Sequence, residues 1–408
     1  MRSHWRILGV LAAANVAAYA ARNSLFAIYD KLRDEFPGIG DANVGLLTTA
    51  FLVPHALATL VFGWAGDRYD RRRVIATGLA IASVAGACGV LARSTESVAV
   101  LAASRALVGV GTAALVPVAN SIFGQLFAAD VRASRVAIFN LGLLAGGIVG
   151  FGSGMAFGFP WVTVVLAAPT ALLALAILRL PVPEHPASDA ARSMRLSRYV
   201  GAFFGDARAL LASRTLRWVI VSATAMAFAA GGYNAWLLDL LVTDKGMSRG
   251  AATTLMSIAM VGAVAGIVTG GRVADRLRAR SAAGRLWTIV IGMAASVPFS
   301  YAFIEMPAGP ALYACGVAAL FFMFWYHAPM AVTVDDLAPA ERVVAAQGLV
   351  IFVMHMFGTA PSSFVVGVIS EHASLRAAMW APTVALAVAA VAMALATPGF
   401  QRDAITKS

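Results

Sequence analysis

Long apolar runs are the feature that most constrains the fold of this chain. They recur from residue 7 to residue 396, and each has the length of about 20 residues that an α-helix needs to cross a hydrocarbon core of about 30 Å. Hydrophobic residues make up 60% of the 408 residues, and the mean hydropathy is +0.80, which exceeds what a soluble core can bury. The runs lack the alternation of barrel strands. We therefore predict an all-α integral membrane protein.

The runs form two groups of six, so the predicted fold class has twelve transmembrane helices in two pseudo-symmetric six-helix bundles. We place the spans at 7–29, 44–65, 74–92, 98–127, 135–158, 161–180, 216–242, 251–273, 286–304, 311–334, 343–369 and 375–396. The predicted domains are the bundles 1–180 and 214–408, the second with a short cytoplasmic tail. Between them, 181–213 is interpreted as a cytoplasmic linker that carries a basic amphipathic helix lying on the membrane. A plain flexible linker is the alternative.

Small residues add two expectations about packing. Gly142, Gly146, Gly150 and Gly154 recur at every fourth position of span 5, which predicts a close helix crossing. The two cysteines lie in spans 3 and 10 and are expected to be small buried hydrophobes without a disulfide.

The positive charge indicates membrane topology rather than a nucleic-acid partner. The net charge is +11, but most Lys and Arg residues fall on one side of the predicted spans. The positive-inside rule then places both termini in the cytoplasm, and we expect a bacterial inner (plasma) membrane and a monomer. We find no phosphate-binding loop, His-Glu-x-x-His pattern, metal-spaced cysteines or nucleophile elbow. The sequence therefore predicts no enzyme activity, no cofactor and no metal.

A charged stretch from Gly63 to Arg73 separates spans 2 and 3, and its Gly-x-x-x-Asp-Arg spacing returns at Gly271 to Arg276. The stretch resembles the signature loop of the major facilitator superfamily. This resemblance implies a cytoplasmic gate whose charge contacts form and break during transport. A role in membrane orientation alone is the alternative. The implied gate residues are Gly63, Asp67, Arg68, Arg71, Arg72, Arg73, Gly271, Asp275 and Arg276.

Further motifs resemble the spinster-type, or lysolipid transporter, branch of that superfamily. Span 1 carries Asn15-x-x-x-Tyr19-x-x-Arg22, span 4 carries Arg105-x-x-x-Gly109-x-Gly111, and residues 351–358 match the branch in span 11. The resemblance implies a secondary transporter that moves a lysophospholipid or related anionic amphiphile by alternating access. Efflux or uptake of a drug-like or small organic solute is the alternative.

Two departures from the branch leave the coupling mechanism open. Ala21 stands where the branch usually has Asp, and Thr112 stands where it usually has Glu. In the family these carboxylates are the candidate proton sites. The titratable candidates that remain within spans are His55, His327, His355 and Asp239. Proton coupling and uncoupled facilitated diffusion are therefore both open.

Arg22 is the most informative residue of span 1, because a charge at that depth costs several kcal/mol unless water, a partner or an anion compensates it. We hypothesise that Arg22 binds an anionic headgroup in a central cavity. Pairing with carbonyl groups and snorkelling are the alternatives. Arg105 is interpreted either as a helix-locking residue or as a proton relay. Further candidate substrate contacts are Asn15, Tyr19, Asn120, Asn140, Tyr233, Asn234, Tyr326 and His355, with apolar walls from Phe139, Phe228, Phe324 and Trp325.

Overall fold

The chain is folded almost entirely into α-helices. A computed structural model describes residues 2–182, 194–339 and 342–407, and this part of the chain contains no β-strand. It divides into two compact units, Met1–Val200 and Gly201–Ser408. The prediction of an all-α protein is confirmed.

The first unit is built from helices α1 to α9 and a short 3-10 segment. Their bounds are α1 Arg2–Asn23, the 3-10 segment Ser24–Ile28, α2 Tyr29–Glu35, α3 Asp41–Arg68, α4 Arg71–Cys88, α5 Leu91–Ser94, α6 Val98–Thr112, α7 Leu115–Leu126, α8 Ala129–Phe157 and α9 Trp161–Leu178.

Helix α10, Leu196–Leu210, crosses the boundary between the units, and the second unit continues from it. Its bounds are α11 Arg214–Asp239, a π-helical segment Leu240–Asp244, α12 Arg249–Arg280, α13 Gly284–Glu305, α14 Pro310–Met323, a 3-10 segment Phe324–Tyr326, α15 His327–Leu337, α16 Val343–Val353, a π-helical segment Met354–Thr359, α17 Ala360–His372, α18 Leu375–Ala378 and α19 Trp380–Lys407.

Eleven stretches of the described chain are long and apolar enough to cross a membrane. Helix α1, which holds most of the first predicted span, is not among them. Helix α1 ends at Asn23, and the chain passes through the buried 3-10 segment Ser24–Ile28 before α2 begins. The predicted bounds 7–29 for span 1 are therefore wrong as the bounds of a single helix.

The glycine row of α8 packs directly against α1. A Cβ atom added to Gly142 would lie 2.8 Å from Nδ2 of Asn15, and one added to Gly150 would lie 2.6 Å from the carbonyl oxygen of Ala20. Real Cβ atoms do not approach other atoms so closely, so only glycine permits this crossing. The predicted close packing of span 5 is confirmed.

Each unit has its own apolar core. In the first unit, Leu11 of α1 and Phe123 of α7 are fully buried, and in the second unit Met293 of α13 and Met393 of α19 are fully buried. The prediction for the cysteines fails in part, because Cys88 is exposed on the surface of its unit. An apolar sequence environment in a membrane protein includes surfaces that face lipid, so it does not by itself indicate burial.

Helix α10 lies within the predicted linker 181–213. Residues 183–193 of that linker fall outside the described residues. The second half of α10 packs on its own unit, where the ring centroids of Phe203 and Phe352 are 5.7 Å apart and Asp206 pairs with Arg342 at 3.4 Å. A helix is thus present in the linker, and its position on the membrane surface stays a prediction.

Candidate functional site

Arg22 lies in the last turn of α1, just before the chain changes to the 3-10 segment. Its side chain is half-buried, and its guanidinium carbon is 5.8 Å from the centroid of the Tyr19 ring. Among the described residues of its own unit, no carboxylate forms an ion pair with it. Arg22 therefore presents a charged group that the first unit does not neutralise.

Arg105 of α6 reaches across to the same end of α1. Its Nη1 donates a hydrogen bond of 2.6 Å to the carbonyl oxygen of Ala21, and its Nη2 donates one of 3.0 Å to that of Arg22. The guanidinium carbon also lies 4.9 Å from the ring centroid of Phe51, and the residue is only 6% exposed. This geometry favours the helix-locking interpretation of Arg105.

His55 and Thr112 are brought together next to the same phenylalanine. Nδ1 of His55 lies 3.1 Å from the carbonyl oxygen of Gly109 and 3.2 Å from Oγ1 of Thr112, and the imidazole stacks on Phe51 with centroids 5.6 Å apart. Because a carbonyl oxygen only accepts, the contact with Gly109 requires the proton on Nδ1 and leaves Nε2 as the acceptor in the neutral ring. The sequence alone gives no sign of this pairing or of the role of Phe51, because the three positions belong to different helical turns on α3 and α6.

Asn15 is a packing residue in this structure. It is 1% exposed, and its Nδ2 donates a hydrogen bond of 2.9 Å to the carbonyl oxygen of Phe139 on α8. Phe139 is itself fully buried in the core. Neither side chain is exposed in this structure, and their predicted roles as substrate contact and cavity wall stay predictions. Asn120 and Asn140 are exposed on the surface of the first unit.

The candidates in the second unit are spread over several helices. Tyr233 is 9% exposed, and its hydroxyl group is 2.7 Å from Oγ1 of Thr383. Asp239, at the end of α11, is 3% exposed. Tyr326 and His327 are adjacent, with ring centroids 5.7 Å apart. Asn234 and His327 are exposed, whereas Tyr326 and His355 are half-buried, and His355 falls in the π-helical segment Met354–Thr359.

The signature stretch forms the junction between α3 and α4. Asp70 precedes α4 and accepts a hydrogen bond of 2.9 Å from the backbone N–H of Arg72, and its carboxylate pairs with the Arg72 guanidinium at 2.9 Å. These hydrogen bonds hold the pKa of Asp70 below its usual value. Arg71 is 4% exposed, whereas Asp67 and Arg73 are exposed.

The echo of this stretch has a different local structure. Gly271, Asp275 and Arg276 all lie inside α12, which continues to Arg280. Asp275 and Arg276 are exposed, and Gly271 is half-buried.

The signature stretch also contacts the chain that leads into α10, which the sequence did not predict. Nε1 of Trp64 donates a hydrogen bond of 2.9 Å to the carbonyl oxygen of Met194, and Nη1 of Arg68 donates one of 3.3 Å to the same oxygen. Tyr199 lies beside Gly63. Burial raises the pKa of Tyr199, and the negative charge of Asp67 raises it further.

Comparisons with known proteins agree with this architecture. The chain matches the model of the Major Facilitator Superfamily over residues 11–360. Protein spinster homolog 3 of Danio rerio is 28% identical over 397 residues, which cover 91% of this chain and 78% of that protein. The sphingosine-1-phosphate transporter of Danio rerio is 24% identical over 392 residues, which cover 89% of this chain and 75% of that protein.

A solved structure supports the fold. The crystal structure of a bacterial homologue of the human lysosomal transporter Spinster, in an inward-facing and unoccupied conformation, aligns with a TM-score of 0.79 at 20% identity over 97% of each chain. The predictions of the twelve-helix fold and of the spinster-type resemblance are confirmed. The chain belongs to the Major Facilitator Superfamily and, within it, resembles the spinster proteins.

Proposed function

We propose that this protein is a secondary transporter that moves a lysophospholipid or a related anionic amphiphile across the membrane by alternating access. The observation that carries the proposal is Arg22, a half-buried guanidinium without an ion pair in its own unit. A charge at this depth is costly unless an anion or water compensates it. The relative named as a sphingosine-1-phosphate transporter supports this class of substrate.

The chemistry around Arg22 suits an amphiphile with a phosphate headgroup. A guanidinium can donate two parallel hydrogen bonds to phosphate oxygens. The Tyr19 ring, whose centroid lies 5.8 Å from the guanidinium, offers apolar surface beside it. We include Arg22 and Tyr19 in the proposed substrate site and leave out Asn15, which is buried between helices.

We further propose that His55 is the proton-binding group if transport is coupled to protons. It contacts Thr112, the position where the branch usually has Glu, and it lies close enough to Arg22 for the two charges to interact. A protonated His55 and Arg22 repel one another, and an anion bound at Arg22 weakens that repulsion. Binding of the anion and protonation of His55 would then favour each other.

We also propose that the signature stretch acts as the cytoplasmic gate that the family resemblance implies, with both termini in the cytoplasm. Its charged residues are held at the ends of α3 and α4, where a carboxylate and several guanidinium groups are available for pairing.

Ligand-induced thermal stabilisation of the detergent-purified protein tests the substrate class. We expect a lysophospholipid with an anionic headgroup to raise the melting temperature, and Arg22→Gln to weaken its apparent affinity at least about tenfold, which corresponds to about 1.4 kcal/mol. Arg93→Gln is the matched control, because Arg93 is also an arginine of the first unit and its side chain is 55% exposed. Equal affinity in the wild type and Arg22→Gln would refute the role of Arg22. Stabilisation by sugars or cationic drugs alone would indicate a small organic solute instead.

A further inference from the structure

A small cavity lies beside Arg105 in the first unit. Its walls come from α1, α4, α6, α9 and the 3-10 segment, and its volume is about 20 Å³. This exceeds the 10–15 Å³, roughly, that one water molecule needs. The polar residues that line it are Arg105, Ser24, Ser104, Thr112, Thr163 and Thr170. No Asp or Glu is among the described residues of the lining.

Two of the five N–H donors of the Arg105 guanidinium, one on Nη1 and one on Nη2, bind the carbonyl groups of α1. The buried Nε has no hydrogen-bond partner among the described residues. An unpaired buried donor costs about 1–3 kcal/mol, and more when it belongs to a charged group.

Among the residues that the structure describes, no carboxylate forms an ion pair with Arg105. The ionisable groups that act on it are Tyr29 and Arg22, and Arg22 has the same sign. His55, which contacts Thr112 from α3, can add only positive charge. The two carbonyl groups offset part of the cost of burying this cation, and an anion would offset more of it.

The two positions at which the family resemblance implies an acid both line this cavity. They are occupied by Ala21 and Thr112, so neither position supplies a carboxylate to Arg105. The cavity and the charge of Arg105 therefore lie at the same place in the first unit.

We propose that this cavity binds a monovalent anion of the size of chloride, which replaces the missing carboxylates as the counter-ion of Arg105. Chloride is only slightly larger than water, whereas phosphate and carboxylate headgroups exceed the volume of the cavity. Nε–H of Arg105, which has no partner among the described residues, would be the first donor to the ion. The hydroxyl groups of Ser104 and Thr170 now donate to the carbonyl oxygens of Ala85 and Leu166, and rotation about Cα–Cβ can turn them toward the ion.

The test uses the full-length, detergent-purified protein and sodium chloride as the probe. Chloride replaces gluconate at constant ionic strength, and the melting temperature is recorded. We expect a saturable rise of about 2–4 °C with chloride, reproduced by bromide, whose anomalous scattering in crystals would then mark the cavity. A melting temperature that does not respond to chloride, with water in the cavity, would overturn the proposal.

Variants that restore a carboxylate identify the site. Ala21→Asp and Thr112→Glu are each expected to abolish the chloride response, because the new side chain fills the cavity and neutralises Arg105. Having two such variants keeps the test decisive if one fails to fold. Arg285→Gln is the control, because this surface ion-pair residue of the second unit lies far from the cavity in sequence and should leave the response unchanged. A chloride response that persists in both acidic variants would assign it to the basic surface and refute this site. The measurement involves no transported substrate, so it is independent of the proposed function.

Discussion

The guanidinium of Arg105 closes the end of helix α1 by donating hydrogen bonds to the carbonyl oxygens of Ala21 and Arg22, at 2.6 and 3.0 Å. The last carbonyl groups of a helix lack partners within it, and here the α-helix gives way at Asn23 to the 3-10 segment Ser24–Ile28. In a membrane such groups must be satisfied by the protein. Arg105 therefore allows span 1 to change its helical form within the first unit.

Arg105→Lys should destabilise the protein although it keeps the charge. A lysine ammonium cannot reproduce the planar guanidinium that donates to both carbonyl groups. We therefore expect the free energy of unfolding to fall by about 1–3 kcal/mol, with a lower melting temperature in detergent. Arg285→Lys is the control, because Arg285 pairs with Asp336 at the surface, where such pairs contribute at most about 1 kcal/mol. An equal effect of the two substitutions would contradict the helix-closing role.

The crossing of α1 and α8 should tolerate no side chain at the glycine row. Gly150→Val would place a Cβ 2.6 Å from the carbonyl oxygen of Ala20, and overpacking of this kind costs about 1–3 kcal/mol or more. Gly152→Val is the matched control on the same helix, because outside its own helical turn no described atom lies within 4 Å of its added Cβ. We expect a lower yield of monodisperse protein on size-exclusion chromatography and a lower melting temperature for Gly150→Val only. Comparable behaviour of both variants would contradict the packing argument.

Helix type and close packing were accessible from the sequence because each depends on a local pattern. Apolar runs of spanning length predict helices, and the four-residue spacing of glycines places them on one helix face. The end of α1 at Asn23 was not accessible, because residues 24–28 continue the apolar run. The hydrogen bonds to that region come from Arg105, more than eighty residues later in the chain.

The residues of the candidate site could be predicted from the sequence only in part. Arg22 stands out as a charge in an apolar run, but Asn15 could not be assigned to a buried face, because core, lipid-facing and cavity-facing positions are all largely apolar in a membrane protein. The contact of Trp64 with Met194 uses a main-chain carbonyl group. Every residue has such a group, so no residue type reveals this kind of contact.

Asp70 should stabilise the start of α4 in two separable ways. As the residue before the helix, it accepts the Arg72 N–H, and its charge pairs with the Arg72 guanidinium. Asp70→Ala should lower the local free energy of unfolding by about 1 kcal/mol. Asp70→Asn keeps the capping oxygen, so it should lower that free energy by only about 0.5 kcal/mol, the contribution of the exposed ion pair. Hydrogen exchange of the first turn of α4 measures both effects.

The contribution of the Asp70 charge to the stability of α4 should disappear in acid. Because the pKa of Asp70 is lower in the folded protein than its usual value, its carboxylate stabilises the fold above the unfolded pKa of about 3.9, and this contribution is lost as the pH falls through the folded pKa. The difference between wild type and Asp70→Asn should therefore shrink as the pH falls below about 4. Asp275→Asn, which changes an exposed carboxylate on α12, should show no such difference at the start of α4. If the wild type were more stable than Asp70→Asn by the same free energy at every pH, the role of the ion pair would be contradicted.

Trp64 should hold the chain that enters α10 against α3. Its Nε1–H donates to the carbonyl oxygen of Met194 at 2.9 Å, and Arg68, stacked 5.5 Å from the Trp64 ring, donates to the same oxygen. Trp64→Phe keeps an aromatic ring but removes the donor, so we expect a local loss of about 1 kcal/mol. This corresponds to amide hydrogen exchange about fivefold faster in residues 194–200. Trp161→Phe is the control, because Trp161 is 59% exposed at the start of α9. Unchanged exchange in Trp64→Phe would show that the ring alone, rather than its hydrogen bond, holds the segment in place.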